Sequence, residues 1–286
     1  MAISDPRFNK YCSLEIDVLT IKHNSGFFSN CSIALYGIIQ YVNYYKKLPR
    51  LVDFSETFQN FRSVQTKNPY DQFFLAKANS EFVFQSDEKI AFNALSIFDY
   101  RQESFAQIAP FVQHYFSPSL EVMKKVDMLM EKWHVQPKKT IAVCYRGTDK
   151  FRDTGLASYA DFITKAKTFQ QKHPEYHILI QTDQAQFWHA ATAELKNVYR
   201  FSETPFTTSN TVMHEIIDEA DKIEWTQWFM AATIVISRCA FIVNHSGNVA
   251  RWICLYRQNA NNMSQYMNQK KVTGSELANH TDFWLS

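Results

Sequence analysis

The sequence predicts an α/β fold made of two Rossmann-like halves, and three observations carry that expectation. Short apolar runs of strand length alternate with longer stretches of helical period, most regularly after residue 139. Near the N-terminus, a strand, a turn-prone loop, a helix and a second strand follow one another, which is the building block of a parallel sheet. Three strand-like runs also end in polar clusters: Arg146-Gly147-Thr148-Asp149-Lys150, Thr182-Asp183 and Asn244-His245-Ser246-Gly247-Asn248. In doubly wound sheets ligands bind beyond the carboxyl ends of the strands.

In the first half, Ile16 to Lys22 reads as a strand in which apolar and polar residues partly alternate. The turn-prone run His23 to Asn30 follows, then a helix from about Ser32 to Lys47. Ile33, Tyr36, Gly37, Gln40, Tyr41 and Tyr44 lie along one side of it. Leu48-Pro49 breaks the helix, and Leu51 to Phe54 reads as the next strand. Thr57 to Gln113 shows no clear period. From Ser119 to Trp133 a helix is expected, with Leu120, Met123, Val126, Met130 and Trp133 on one face. The stretch Val135 to Lys139 looks like a junction.

The second half reads more regularly. Strands are expected at Thr140 to Tyr145, His177 to Gln181, Val198 to Phe201 and Ala240 to Val243. Helices are expected at Tyr159 to Lys172, Gln184 to Lys196, Trp225 to Ser237 and Asn248 to Tyr256.

Composition bounds the class. A chain of 286 residues with formal charge +2 has no general electrostatic grip on nucleic acid or an anionic membrane. The five cysteines show no CxxC pair, which argues against a zinc ribbon or disulfide framework. The N-terminus has no apolar signal segment and no stretch is apolar enough to span a bilayer, so a cytoplasmic location is expected. Sequons occur at Asn30, Asn244, Asn262 and Asn279; a glycan on the first two would obstruct the expected cleft.

Each cluster has a chemical reading and a plain one. Arg146 and Lys150 offer a planar fork and a point charge to a phosphate, yet an exposed pair with Asp149 is equally ordinary. Ser246-Gly247-Asn248 stands where a strand meets a helix N-terminus, a place that favours anions and also one where Ser246 or Asn248 simply caps the helix. Arg251, one turn in, reaches the same phosphate or a surface acid. Asp183 either holds a ribose or base edge or caps the following helix. Rival motifs are missing: there is no Walker loop, GxGxxG, HExxH or GxSxG, and no Asp-x-Asp follows a strand to hold a divalent ion.

Taken together, these segments resemble the fucosyltransferase superfamily that includes α1,6-, nodulation and protein O-fucosyltransferases. Ile141 to Lys150 looks like its strand ending in His-x-Arg-Arg-Thr-Asp-Lys, Ile178 to Asp183 like its strand ending in Thr-Asp, and Phe241 to Arg251 like its strand–Ser–helix segment. Gly26-Phe27-Phe28-Ser29-Asn30 is similar to its N-terminal Gly-rich loop. The resemblance implies a GT-B-like fold, two Rossmann-like domains facing a central cleft. Residues 1–136 would then form mainly the acceptor side and 137–286 the nucleotide-sugar donor side. It also implies inverting transfer to a glycan hydroxyl without metal or cofactor. Carried over, Arg146 binds the donor β-phosphate, with Asp149 and Lys150 around the donor. Asp183 and Ser246 contact nucleoside or diphosphate. Gly247, Asn248, Arg251, Gly26, Phe27 and Asn30 complete the donor-binding set.

Two positions differ from the family pattern. Tyr145 stands for the usual His and Gly147 for the second Arg, so the donor stays open between GDP-fucose and another such as UDP-xylose. The short, anchor-free chain is similar to soluble glycosyltransferases of large algal DNA viruses, whose glycans contain both fucose and xylose. A non-catalytic nucleotide- or carbohydrate-binding module is the other class of answer. Inversion needs one general base for the acceptor proton. Asp153, just past the Arg146 loop, is the first candidate, with Asp53, Glu56 and His23 as alternatives.

Overall fold

The computed structural model describes residues 3–63, 68–75, 77, 82, 88–94, 99–148, 157–208, 211, 213–267 and 283–285. The chain forms two compact units. One comprises Met1–Ser96, Gln102–Lys124 and Asp218–Gln227; the other comprises Ile97–Arg101, Lys125–Ile217 and Trp228–Ser286. Both units are discontinuous in sequence.

The first unit opens with helix α1 (Pro6–Tyr11) and a hairpin of strands β1 (Cys12–Glu15) and β2 (Val18–Ile21). Ile16 and Asp17 both take positive φ, 44° and 65°, and make the two-residue turn between Glu15 and Val18. This corrects the strand expected from Ile16, which is instead an exposed turn residue. Asp17 is held there by the Tyr41 hydroxyl at 2.8 Å and the Lys47 ammonium at 2.7 Å. Helix α2 (Phe27–Tyr45) then carries the chain back so that β3 (Leu51–Asp53) pairs parallel with β2.

Helix α2 starts five residues before the expected Ser32, because Phe27 and Phe28 are core residues rather than loop residues. The Phe27 ring packs against those of Phe28, Phe58, Phe61, Phe73 and Phe74. Helix α3 (Phe105–Tyr115) follows, and helix α4 (Leu120–Lys132) begins in this unit and ends in the other. Helix α3 was not legible, since Pro110 sits inside it and proline disfavours a helix interior.

Gly37, on α2, carries a packing constraint. A Cβ there would lie 2.7 Å from Cys12 Sγ and 3.3 Å from Ile21 Cδ1. Overpacking of this kind typically costs about 1–3 kcal/mol. Alanine's better helix propensity returns at most about 1 kcal/mol. Gly37→Ala is therefore expected to lower the urea midpoint with an unchanged slope. A midpoint at or above the parental one would show that Cys12 gives way freely.

The second unit is built on a six-stranded sheet in the order β6-β5-β4-β7-β8-β9. Its strands are β4 (Thr140–Tyr145), β5 (His177–Thr182), β6 (Val198–Tyr199), β7 (Phe241–His245), β8 (Met263–Met267) and β9 (Phe283–Leu285). The first five run parallel and β9 pairs antiparallel to β8. Helices α5 (Tyr159–Lys172), α6 (Ala185–Glu194), α8 (Lys222–Ser237) and α9 (Asn248–Arg257) alternate with them, and a short helix α7 (Met213–Ile216) precedes α8. A Ser158–Asp161 capping box starts α5. Ile141, Ala142, Val143, Ile178, Leu179, Ile180, Ile242 and Val243 are all buried, as strands covered on both faces require.

From β4 the chain winds outward through β5 to β6, then returns to place β7 on the other side of β4. The switch point lies between β4 and β7. Strands β8 and β9 were not expected. Strand β8 reads Met-Ser-Gln-Tyr-Met, with two polar residues that the fold buries. Among the described residues, no helix is long and apolar enough to cross a membrane.

Candidate active site

The sheet register brings the three polar clusters of the second unit into one row. Tyr145 pairs with Thr182, and Cys144 with Asn244. Asp183, Arg146 and Ser246 therefore leave three adjacent strands at the same level, at the carboxyl edge and across the switch point. Asp149, Lys150 and Asp153 lie outside the described residues.

Asp183 organises the loop after β4. Its Oδ1 accepts the Gly147 N–H at 2.9 Å and its Oδ2 accepts the Thr148 hydroxyl at 2.7 Å. Arg146 Nε stands 3.9 Å from the same carboxylate, and its side chain is 45% exposed. Such a long, open pair adds little stability, and the exposure leaves part of the side chain reachable from solvent. The following residue explains Gly147. A Cβ there would lie 2.0 Å from Gln184 Oε1, which also accepts the Tyr159 hydroxyl at 2.9 Å. A larger residue at 147 first has to displace Gln184.

Tyr145 is a core residue. Its ring stacks on Phe187 at 4.3 Å and its hydroxyl donates to the Ala157 carbonyl at 3.0 Å. Burial, then Tyr159 and Asp183 nearby, hold its phenol well above the ordinary value, so it stays protonated at neutral pH.

On the other side of the switch point, Gly247 is the N-cap of α9 and an added Cβ would meet nothing within 4 Å. Gly247, Asn248 and Val249 are half-buried, so the first turn is reachable. An α-helix leaves its first N–H groups without an intrahelical acceptor and carries partial positive charge there. The Ser246 hydroxyl, by contrast, turns into the sheet: it donates to the Tyr266 carbonyl at 3.0 Å and accepts from Gln265 Nε2 at 2.7 Å. Arg251 is only 2% exposed, with its guanidinium carbon 5.5 Å from the centre of the Tyr100 ring. Sequence reasoning missed Tyr100. Its hydroxyl contacts both polar groups of Gly247, a residue 147 positions away.

The first unit gathers its own candidates at the carboxyl ends of β2 and β3, which pair through Thr20 and Asp53. Asp53 is half-buried and accepts the Ser55 N–H at 2.9 Å, while Glu56 is exposed. His23 Nε2 lies 3.1 Å from Ser29 Oγ. Burial, with Lys10 adding to it, lowers the His23 pKa, so its imidazole is neutral at neutral pH. Of the donor-binding residues expected here, Gly26 caps α2 and is half-buried. Phe27 is 3% exposed within the aromatic cluster, and Asn30 is fully buried. The Asn30 amide folds the preceding loop, accepting the Ser25 N–H at 2.8 Å and donating to the Ser25 carbonyl at 3.3 Å. Phe27 and Asn30 thus build this unit rather than present a surface to a ligand.

A parallel sheet in this strand order, with the Arg146 side chain and a helix N-terminus at its switch point, is a doubly wound α/β sheet, the kind in which ligands bind beyond the carboxyl ends of the strands. The particular fold is GT-B, shared with solved structures of the fucosyltransferase NodZ. NodZ α-1,6-fucosyltransferase soaked with GDP-fucose is similar at a TM-score of 0.53 and 12% identity, over 94% of this chain and 98% of that one. Fucosyltransferase NodZ from Bradyrhizobium is similar at 0.52 and 11%, over 87% and 94%. NodZ α-1,6-fucosyltransferase co-crystallized with GDP is similar at 0.53 and 12%, over 87% and 94%. At these identities the likeness is one of fold. No protein-family model matches the sequence, and no curated protein matches it.

Proposed function

We propose that this chain is an inverting glycosyltransferase that moves a sugar from a nucleotide-sugar donor to a hydroxyl of a glycan acceptor. Residues 137–286 would supply the donor side and residues 1–136 mainly the acceptor side. The observation that carries the reading is the row of Asp183, Arg146 and the Gly247 helix end across the β4–β7 switch point. It lies in a fold shared with a fucosyltransferase whose structures were obtained with GDP and GDP-fucose.

In such a reaction the acceptor oxygen attacks the anomeric carbon from the face opposite the diphosphate. The bond from that carbon to the phosphate oxygen breaks, and its electron pair leaves with the nucleoside diphosphate. Arg146 and the first turn of α9 stabilise that growing charge, and the family resemblance adds Asp149 and Lys150 to the donor-binding set. A general base, assigned first to Asp153, takes the hydroxyl proton.

GDP-fucose is the first donor to try. UDP-xylose is the second, because Gly147, packed against Gln184, stands where the family pattern has its second arginine. The test is to incubate the protein with each sugar nucleotide and measure released nucleoside diphosphate, with and without glycan acceptors. Release from neither donor would refute the transferase reading in favour of a binding module. The same assay in excess EDTA is expected to proceed at an unchanged rate, since Arg146 and the helix end supply the positive field. Loss of activity on chelation, restored by Mn²⁺ or Mg²⁺, would mean that a metal does that work.

A further inference from the structure

Gly247 is the hinge at which β7 becomes α9. It has no side chain to anchor it, and open space lies where one would stand. Glycine is the residue with most backbone freedom to lose on ordering, so the direction of the first helical turn depends on what holds this peptide from outside.

We propose that Tyr100 is a positioning residue of the donor site, fixing the first turn of α9 and the buried Arg251 together. The proposal rests on the reading in which that helix end receives the donor diphosphate. One hydroxyl holds both polar groups of the hinge residue: it accepts the Gly247 N–H at 2.7 Å and donates to the Gly247 carbonyl at 2.8 Å. The same carbonyl accepts the Arg251 N–H at 3.0 Å, which ties the hinge to the first turn.

The Tyr100 backbone closes a second path. Its N–H donates to Gln265 Oε1 at 3.2 Å, and Gln265 Nε2 donates to Ser246 Oγ at 2.7 Å. Ser246 directly precedes the hinge, so Tyr100 grips it from both sides. The Tyr100 ring meanwhile lies within cation–π reach of the Arg251 guanidinium. Tyr100 itself is 2% exposed and does not touch solvent-borne ligand, so its action passes through Gly247 and Arg251.

Tyr100→Phe keeps the ring and removes the hydroxyl. Losing both bonds at Gly247 and leaving its N–H unsatisfied is expected to weaken GDP binding about tenfold by calorimetry. Donor KM should rise in the same proportion. Amide hydrogen exchange is expected to accelerate at residues 247–250 and to stay parental in β4 and β5, a local change that a general loss of stability does not give. Tyr100→Leu, lacking the ring as well, should weaken GDP further; if it fails to fold, the Phe variant still decides. Parental GDP affinity together with parental exchange at 247–250 in Tyr100→Phe would overturn the proposal. If the parent protein binds neither GDP nor UDP, the donor reading falls by itself. Exchange at 247–250 then decides the clamp alone, and an unchanged rate there removes it.

Discussion

Arg146→Ala is expected to lose at least about 100-fold in turnover while remaining folded, because removing one preorganised donor to a developing negative charge typically has that effect. The geometry makes this a clean experiment. The side chain is 45% exposed, and its pairing with Asp183 at 3.9 Å is too long and open to matter much for stability. The residues that do shape the loop, Gly147 and Thr148, bond to Asp183 through the backbone and a hydroxyl, and neither bond involves the guanidinium. The melting temperature is measured alongside, so that the loss of rate is read on a folded variant. Arg146→Lys retains a charge but loses the planar fork, so it should fall between the two. A folded Arg146→Ala variant with near-parental turnover would remove Arg146 from the mechanism.

Asp153→Asn is expected to lower turnover by about 10²–10⁴, the usual worth of a general base, with a much smaller effect on donor affinity. An amide keeps the shape and still hydrogen-bonds, but cannot take the acceptor's proton. Asp53→Asn, Glu56→Gln and His23→Gln belong in the same experiment. His23 has a distinguishing mark. Its depressed pKa leaves it neutral and proton-accepting at neutral pH. A His23 base would therefore hold its rate down to that lowered pKa and lose it only as pH falls through it. If Asp153→Asn keeps parental turnover while one of the others collapses, that other residue is the base. If affinity falls in step with rate, Asp153 binds donor instead.

The second unit was largely legible because its signals are local. The runs Ile141 to Val143 and Ile178 to Ile180 are continuous apolar stretches of strand length, and Ser158 with Asp161 marks the start of α5. The alternation also fixed which polar residues sit at strand ends, and register then aligned Asp183, Arg146 and Ser246. Direction within that row was not legible. Whether Ser246 points to a ligand or to Tyr266 depends on β8, whose buried Gln265 and Ser264 gave no strand signal. Tyr100 was invisible for a related reason, since its partner Gly247 is 147 residues away and no local pattern announces such a contact. In the first unit, turn-prone composition hid the start of α2. Phe27 and Asn30 looked like loop residues, yet an aromatic cluster and a bond pair to Ser25 make them part of the helix's foundation.

The central claim is that the strand-end row around Arg146 binds a nucleoside diphosphate, and a thermal-shift panel of GDP, UDP, GDP-fucose and UDP-xylose tests it most directly. A ligand that binds only the native state adds about 2.7 kcal/mol at a hundredfold excess over its Kd, enough to raise the melting temperature measurably. At least one nucleotide and its matching sugar nucleotide are predicted to raise the parental melting temperature, and Arg146→Ala is predicted to lose most of that rise. No shift with any of the four, or an equal shift in Arg146→Ala, would contradict the account.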